Sequence, residues 1–214
     1  SQCVEAGGVS TSHFFNGDIK MIRVVSRFAC AAVLAVSATC ALAQPAELEG
    51  VKLAPTAQVE SASLVLNGAG VRTRAVFKVY VAALYVPKKA TDAATLLSQS
   101  GPRRIAITML RDVEAATFAG ALSDGLKDNH TEAQFTALKP QIDTLNAAFK
   151  QVGQAKKGDL IQMDFTPEAG TRVLVNGQVK GSPIAGEAFY NALLRIWLGD
   201  KPVDSALKKG MLGG

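Results

Sequence analysis

Residues 67–87 read NGAGVRTRAVFKVYVAALYVP, a glycine-rich start running into a long apolar segment. Asn67-Gly68-Ala69-Gly70 has the composition of a turn, because glycine accepts backbone angles closed to other residues. An arginine follows, then a long run of β-branched and aromatic residues. Val76–Val86 is apolar at nearly every position, which predicts a strand covered on both faces. Arg72 therefore enters beside a sheet core as a permanent cation. A charge taken out of water is costly unless paired. Arg72 must either find an internal carboxylate, with Glu60 and Asp164 as candidates, or bind an anion from outside. If Val71–Val86 runs as one unbroken strand, Arg72, Arg74, Lys78, Tyr80 and Leu84 share one face by period two. Phe77, Val79, Val81 and Tyr85 then share the other. Cations and a phenol beside apolar side chains suit a carboxylate with a hydrocarbon tail.

Upstream, the first methionine is Met21. Arg23 and Arg27 make a basic segment, Ala29–Ala38 an apolar one, and Ala41-Leu42-Ala43 a cleavage site before Gln44. Residues 21–43 therefore read as a secretory signal peptide. The apolar run is too short for a membrane anchor of ~20 residues. Ser37-Ala38-Thr39 lacks the aliphatic residue that lipidation at Cys40 would need. Ser1–Lys20 reads as translated upstream sequence, expected to be disordered. The expected product is one exported domain over residues 44–214, with no stable membrane span. The signal suggests a bacterial periplasm, and the cleavage site is equally consistent with secretion to the outside. All three cysteines, Cys3, Cys30 and Cys40, precede the cut. That leaves no disulfide and no thiol chemistry after cleavage. The removed part carries three cations (Lys20, Arg23, Arg27) and two acids (Glu5, Asp18), so the net charge of +5 falls by one. Lys88-Lys89, Arg103-Arg104, Lys156-Lys157 and Lys208-Lys209 are short basic pairs without interleaved aromatics. They read as solvated surface, and nucleic acid is not an expected partner.

The remaining pattern is α+β. Val51–Leu53 and Val59–Leu66 read as strands around a Pro55 turn, and Thr91–Ser98 as a short helix. Arg104–Leu110 alternates as a strand. Glu114–Lys127 is helical, with Phe118, Leu122 and Leu126 on one face. Gly120 and Gly125 inside it point to a close neighbour or to a fray point, since each costs ~1 kcal/mol against alanine. Thr131 and Gln134 form a capping box. Pro140 opens a further helix carrying Ile142, Leu145 and Phe149. Asp159–Phe165, Thr171–Val175 and Gln178–Lys180 read as strands, with Asn176-Gly177 a type I′ hairpin signal. Glu187–Leu198 is an apolar helix, and Asp200–Lys209 a short final one.

Several chemistries are excluded. After cleavage no cysteine remains and only His130 is left of the histidines, so zinc sites of Cys/His type are ruled out. His130 sits in the polar stretch Lys127–Glu132, a surface loop or helix start. No G-x-S-x-G motif is present. Asp112 and Glu114 fall at a strand–helix junction, where acids favour the helix dipole. Gly68-Ala69-Gly70 lacks the third glycine and the helix of a dinucleotide loop. No metal or cofactor is expected.

NGAGVR, FKVYVAALYV, ITML and the tail from GSPIAGEAF to IWLGDKPVDSALKKGMLG together resemble the chalcone isomerase fold, closest to its bacterial, exported chalcone-isomerase-like branch. The likeness spans about Leu48–Leu212. It implies an open-faced β-sandwich, a large antiparallel sheet covered by a layer of helices, with a ligand cleft between them. Arg72 matches the arginine that holds the flavonoid oxyanion in plant enzymes. Tyr80 falls near the following threonine, Phe118 stands for a tyrosine, Gly125 for an asparagine, and Ala185 or Gly186 for a late Ser/Thr. Each lost donor at a developing oxyanion costs ~3–4 kcal/mol, so little of that mechanism survives. Non-catalytic members that bind fatty acids keep the arginine and pair it with a tyrosine, here Tyr80 or Tyr85.

The expected ligand is thus a fatty acid or similar amphipathic carboxylate. Arg72 would hold its head group, Tyr80 or Tyr85 would donate to it, Lys78 would add field, and Phe118 would line the apolar part. Leu122, Phe189 and Trp197 would line it or serve the core. The alternatives are an intramolecular lyase cyclising a chalcone-like substrate, with Arg72 stabilising the enolate, and a structural envelope protein whose cleft is filled and whose Arg72 is already paired.

Overall fold

The computed structural model describes residues 46–214. The expectations for residues 1–43, upstream segment and signal peptide, lie outside the described residues. The chain begins with a small hairpin, β1 (Ala46–Leu48) and β2 (Val51–Leu53). Then come β3 (Thr56–Val59), β4 (Ala62–Arg74), β5 (Phe77–Val86), the short helix α1 (Ala93–Ser98) and β6 (Arg103–Met109). A two-residue β7 (Val113–Glu114) leads into α2 (Ala115–Asp128), α3 (Glu132–Ala137) and α4 (Lys139–Lys150). The chain finishes with β8 (Gln154–Ala155), β9 (Leu160–Thr166), β10 (Gly170–Val175), β11 (Gln178–Ile184), α5 (Glu187–Leu198) and α6 (Ser205–Met211).

Seven strands form one antiparallel sheet in the order β11-β10-β9-β6-β5-β4-β3. Its main core faces the helices: Leu84, Ile105, Ile107 and Met163 of the sheet pack with Phe149 of α4 and Trp197 of α5. On the other face a smaller cluster of Val59, Leu64, Val81, Ala83 and Tyr85 is covered by Leu53 and its neighbours in the β1–β2 hairpin. β5 is apolar on both faces because both are covered, as its sequence predicts. This is the expected helix-layered sheet.

The two ends of residues 67–87 exchange roles. Asn67–Gly70 is not a turn: β4 runs straight through it. Its glycines serve a close approach, because α6 crosses this strand. A Cβ on Gly70 would stand 2.8 Å from Leu207 Cα, and one on Gly68 would overlap the Gly210 carbonyl oxygen. The reversal comes instead at Ala75-Val76, with Ala75 at φ 54°. Val71–Val86 is therefore two strands of one hairpin.

Two bulges interrupt that hairpin. Asn67 is the extra residue in β4, between the Leu66–Tyr85 and Gly68–Leu84 pairs. Its amide donates to Met211 O at 2.7 Å and accepts from Ala90 N at 2.8 Å. Val79 is the extra residue in β5, between Arg72–Tyr80 and Thr73–Lys78. Such an insertion moves the residues beyond it to the opposite face.

Other boundaries follow local chemistry. Val59–Leu66 is split by a reversal at Glu60-Ser61, with Glu60 at φ 53° and no glycine to announce it. The last helix starts at Ser205, not Asp200. Asp204 caps it, accepting from Ala206 N and Leu207 N, and Gly210 lies inside it. The Thr131–Gln134 capping box forms as expected. Asn176 and Gly177 both take positive φ, as a type I′ turn requires. Gly125 meets a close neighbour, Ile196 of α5, whereas Gly120 faces open space.

Arg103-Arg104 is not a solvated basic pair. Arg103 is fully buried, its guanidinium 5.2 Å and 5.1 Å from the Phe165 and Tyr190 ring centres. It donates to Glu187 and to Asn191, each at 2.6 Å. Arg104 holds the buried Asp164 through two bonds of 2.5 Å and 2.6 Å. These contacts tie β6 to β9 and α5. His130 stands in the turn between α2 and α3, with its Nδ1 2.7 Å from Leu126 O.

Candidate functional site

A cleft of about 820 Å³ opens between the β4–β5 hairpin, the β6–β7 loop, α2 and the α5–α6 connection. This lies within the about 300–1,000 Å³ typical of small-molecule sites. Its apolar wall comes from Val79, Phe118, Ala121, Leu122 and Ile196. Arg72, Arg74 and Arg111 stand on the strand side, and Asp124 and Asp128 of α2 on the opposite rim. A groove of about 630 Å³ between α4 and β11 carries neither arginine nor tyrosine.

Arg72 and Tyr80 are direct cross-strand partners on β4 and β5. Opposed residues of an antiparallel pair point to the same face, and both line the cleft. The Arg72 side chain is 24% exposed, so it sits at the junction of core and solvent. One of its nitrogens donates to Thr73 O at 2.5 Å and lies 3.7 Å from Asp204. That second distance is long for a charge-assisted bond, which runs about 2.7–2.9 Å. Among the described residues, its other nitrogens meet no protein acceptor.

The internal acids proposed from sequence are taken elsewhere: Glu60 pairs with Arg172 at 3.0 Å and Asp164 with Arg104. Asp204 is the acid that sequence reading missed. Its carboxylate accepts from Thr73 N at 3.0 Å as well as capping α6. Burial opposes its ionisation. The backbone N–H groups of Thr73, Leu207 and Ala206 and the Arg72 charge outweigh that and hold its carboxyl below the usual value. The readable signal was an Asp directly before the final apolar run, a helix-cap position.

Tyr80 is buried, and its hydroxyl accepts the Trp197 indole N–H at 3.1 Å. Its own proton meets no protein acceptor among the described residues. Burial pushes its pKa up to about 12, against the opposing pull of the Trp197 bond and the Arg72 charge. The residue is thus a neutral phenol that lines the cleft beside a cation. Phe118 stands edge-on to it, ring centres 6.1 Å apart at 72°, and packs in turn on Phe149 at 5.2 Å. No local pattern signals the Trp197–Tyr80 bond, which spans 117 residues.

Three of the five residues singled out from sequence meet here: Arg72, Tyr80 and Phe118. Two do not. The Val79 bulge turns Lys78 to the far face, where its ammonium is bound to Glu49 at 2.8 Å. Tyr85 also points to the far face, into the second cluster, and donates to Ala54 O at 3.0 Å. The same bulge brings Phe77 and Val79, expected opposite Tyr80, into the cleft. Leu122 lines it, whereas Phe189 and Trp197 are wholly buried, Trp197 touching the site only through Tyr80. Phe118 and Gly125 line the cleft without a polar side chain. Ala185 and Gly186, at the start of α5, are not part of its lining.

The profile of chalcone isomerase-like proteins matches residues 45–213. No curated protein matches the chain. Among solved structures it is similar to the crystal structure of an Arabidopsis thaliana fatty-acid binding protein. The sequences are 14% identical and the TM-score is 0.58, covering 76% of this chain and 92% of that one. At that identity the likeness is one of fold.

Proposed function

The chain belongs to the chalcone isomerase-like family, and from that premise we propose that it is a periplasmic, non-catalytic carrier of a fatty acid or similar amphipathic carboxylate. One observation carries the reading. A cation without a short carboxylate partner and a phenol with an unspent proton face each other at the inner wall of an apolar-lined cleft. A carboxylate accepts from both, while its tail lies along Phe118, Leu122 and Ile196. The fatty-acid binding protein of the same fold supports the choice of ligand. The signal-peptide pattern over residues 21–43 supports export.

The lyase reading finds less support. Phe118 and Gly125 put carbon and a bare backbone where that chemistry would use hydrogen-bond donors. The filled-core reading meets an open cleft.

Native mass spectrometry of protein recovered from the periplasmic fraction tests the proposal. A bound mass of a few hundred daltons is expected, with an N-terminus at Gln44. In titrations with palmitate, Arg72→Ala should bind at least about tenfold more weakly and Tyr80→Phe about three- to tenfold more weakly, the ranges for charged and neutral hydrogen bonds. Equal binding by Arg72→Ala and the parent would sink the anion site. Acceleration of chalcone cyclisation, abolished by Arg72→Ala, would replace the carrier with an enzyme.

A further inference from the structure

The three large apolar side chains that stand exposed among the described residues, Val76, Phe77 and Val179, all lie at one end of the seven-stranded sheet. Val76 is 84% exposed at the tip of the β4–β5 hairpin, Phe77 56% beside it, and Val179 52% at the start of β11. The two hairpins lie four strand spacings apart, roughly 20 Å at the usual separation. The β6–β7 loop and the Lys156–Asp159 turn fill the interval.

Cations cluster at the same end. Arg74, Arg111, Lys156 and Lys157 are all exposed, and among the described residues none has a carboxylate within ion-pair distance. The Arg111 guanidinium lies over the Phe77 ring at 4.6 Å. Several acids of this end are engaged internally. Asp112 accepts Lys157 N at 2.8 Å, Asp159 accepts Lys156 N and the Asn176 amide, and Glu49 holds Lys78. The cleft shares this end, since Arg74, Ala75, Phe77 and Arg111 line it.

From this juxtaposition of exposed apolar tips and unpaired cations at the end of the sheet where the cleft opens, we infer that this end of the sheet docks on an anionic lipid bilayer. A hairpin tip carrying Val and Phe enters the headgroup boundary, while flanking Arg and Lys meet the lipid phosphates. The apolar component alone would fit any greasy partner; the four cations select an anionic one. Docking there sets the cleft against the lipid, so that an amphiphile crosses between bilayer and cleft without passing through water. The docking rests on the proposed ligand only for that purpose, not for its geometry.

Vesicle co-sedimentation tests it, using the chain recovered after export with its N-terminus checked by mass. The parent should bind vesicles of phosphatidylglycerol with phosphatidylcholine, release on added salt, and bind phosphatidylcholine alone weakly. Val76→Asp, and separately Lys156→Glu with Lys157→Glu, should each weaken binding about tenfold. Lys88→Glu with Lys89→Glu makes the same charge change beyond the opposite end of β5 and should leave binding within about twofold. The inference is overturned if the parent ignores anionic vesicles, if Val76→Asp binds as well as the parent, or if the control pair loses as much as the tip variants. Palmitate titration without vesicles separates the two proposals. Docking without palmitate binding would leave the surface and remove the carrier; palmitate binding without docking would do the reverse.

Discussion

Tyr80 accepts a hydrogen bond from Trp197, and its own proton meets no protein acceptor among the described residues. That arrangement has a signature in alkaline titration, because the chain has only three tyrosines and burial raises the pKa of all three. Tyr80 rises to about 12, Tyr85 rises with its hydroxyl on Ala54 O, and Tyr190 rises well above the normal range with its hydroxyl on Met163 O. The native protein should therefore show less tyrosinate absorbance as pH passes 10 than the unfolded chain does. The sign for stability follows. The folded state holds the neutral phenols, so their contribution is complete below pH 10 and is lost as pH rises from 10 toward 12 and beyond. Thermal melts across that window should fall, and Tyr80→Phe should shrink the fall. An ordinary tyrosine titration in the folded protein would show that the phenols are open to water.

At the scale of the element, β4 and α6 are held backbone to backbone by glycine. Gly70→Ala places a methyl 2.8 Å from Leu207 Cα, and the helix must move to admit it. A loss of about 1–3 kcal/mol is expected, the usual cost of overpacking, read in urea melts. Gly120 is the internal contrast. It lies in the interior of α2 with open space where a Cβ would go, so Gly120→Ala should stabilise by about 1 kcal/mol. If Gly70→Ala leaves stability unchanged or raises it, the close-approach account of Gly70 is wrong. The same pair shows what sequence legibility means. NGAG reads as a turn because glycine is common in turns, and here it lies in a strand because a helix crosses it. Gly125 was read correctly as a contact, and Gly120 was not. Composition announces that a glycine has a reason without saying which, since the reason is an atom far along the chain.

Across the whole molecule, the buried Arg103 joins the central sheet to α5. Its guanidinium lies against Phe165 and Tyr190 and bonds Glu187 and Asn191. Burial lowers its pKa, and the nearby Tyr190 and Glu187 partly offset this. Arg103→Ala should cost about 3–5 kcal/mol, as breaking a buried charged pair does. Arg103→Lys should recover little of it, because an ammonium offers neither the flat stacking surface nor the forked donors. The measurement is chemical denaturation. A loss below about 1 kcal/mol, the scale of an exposed pair, would place Arg103 among the surface charges after all. Because α5 also carries Trp197, which bonds Tyr80, a further consequence is expected at the cleft. Arg103→Ala should weaken palmitate binding even where the variant remains folded.

Legible in the sequence alone are the helix-layered antiparallel sheet, the both-faces-apolar central strand, the Thr131 cap and the Asn176-Gly177 hairpin. Each is written in short-range periodicity, in turn chemistry or in family-like segments within a single stretch of chain. Long-range packing fixes where residues 67–87 reverse, that Val79 bulges, and hence that Phe77 joins Tyr80 while Lys78 leaves it. It also decides which acid approaches Arg72 and which donor meets Tyr80. The physical reason is the two-residue period of a strand. One inserted residue reverses every face assignment beyond it, and whether that residue is inserted depends on what packs against the hairpin from elsewhere in the fold.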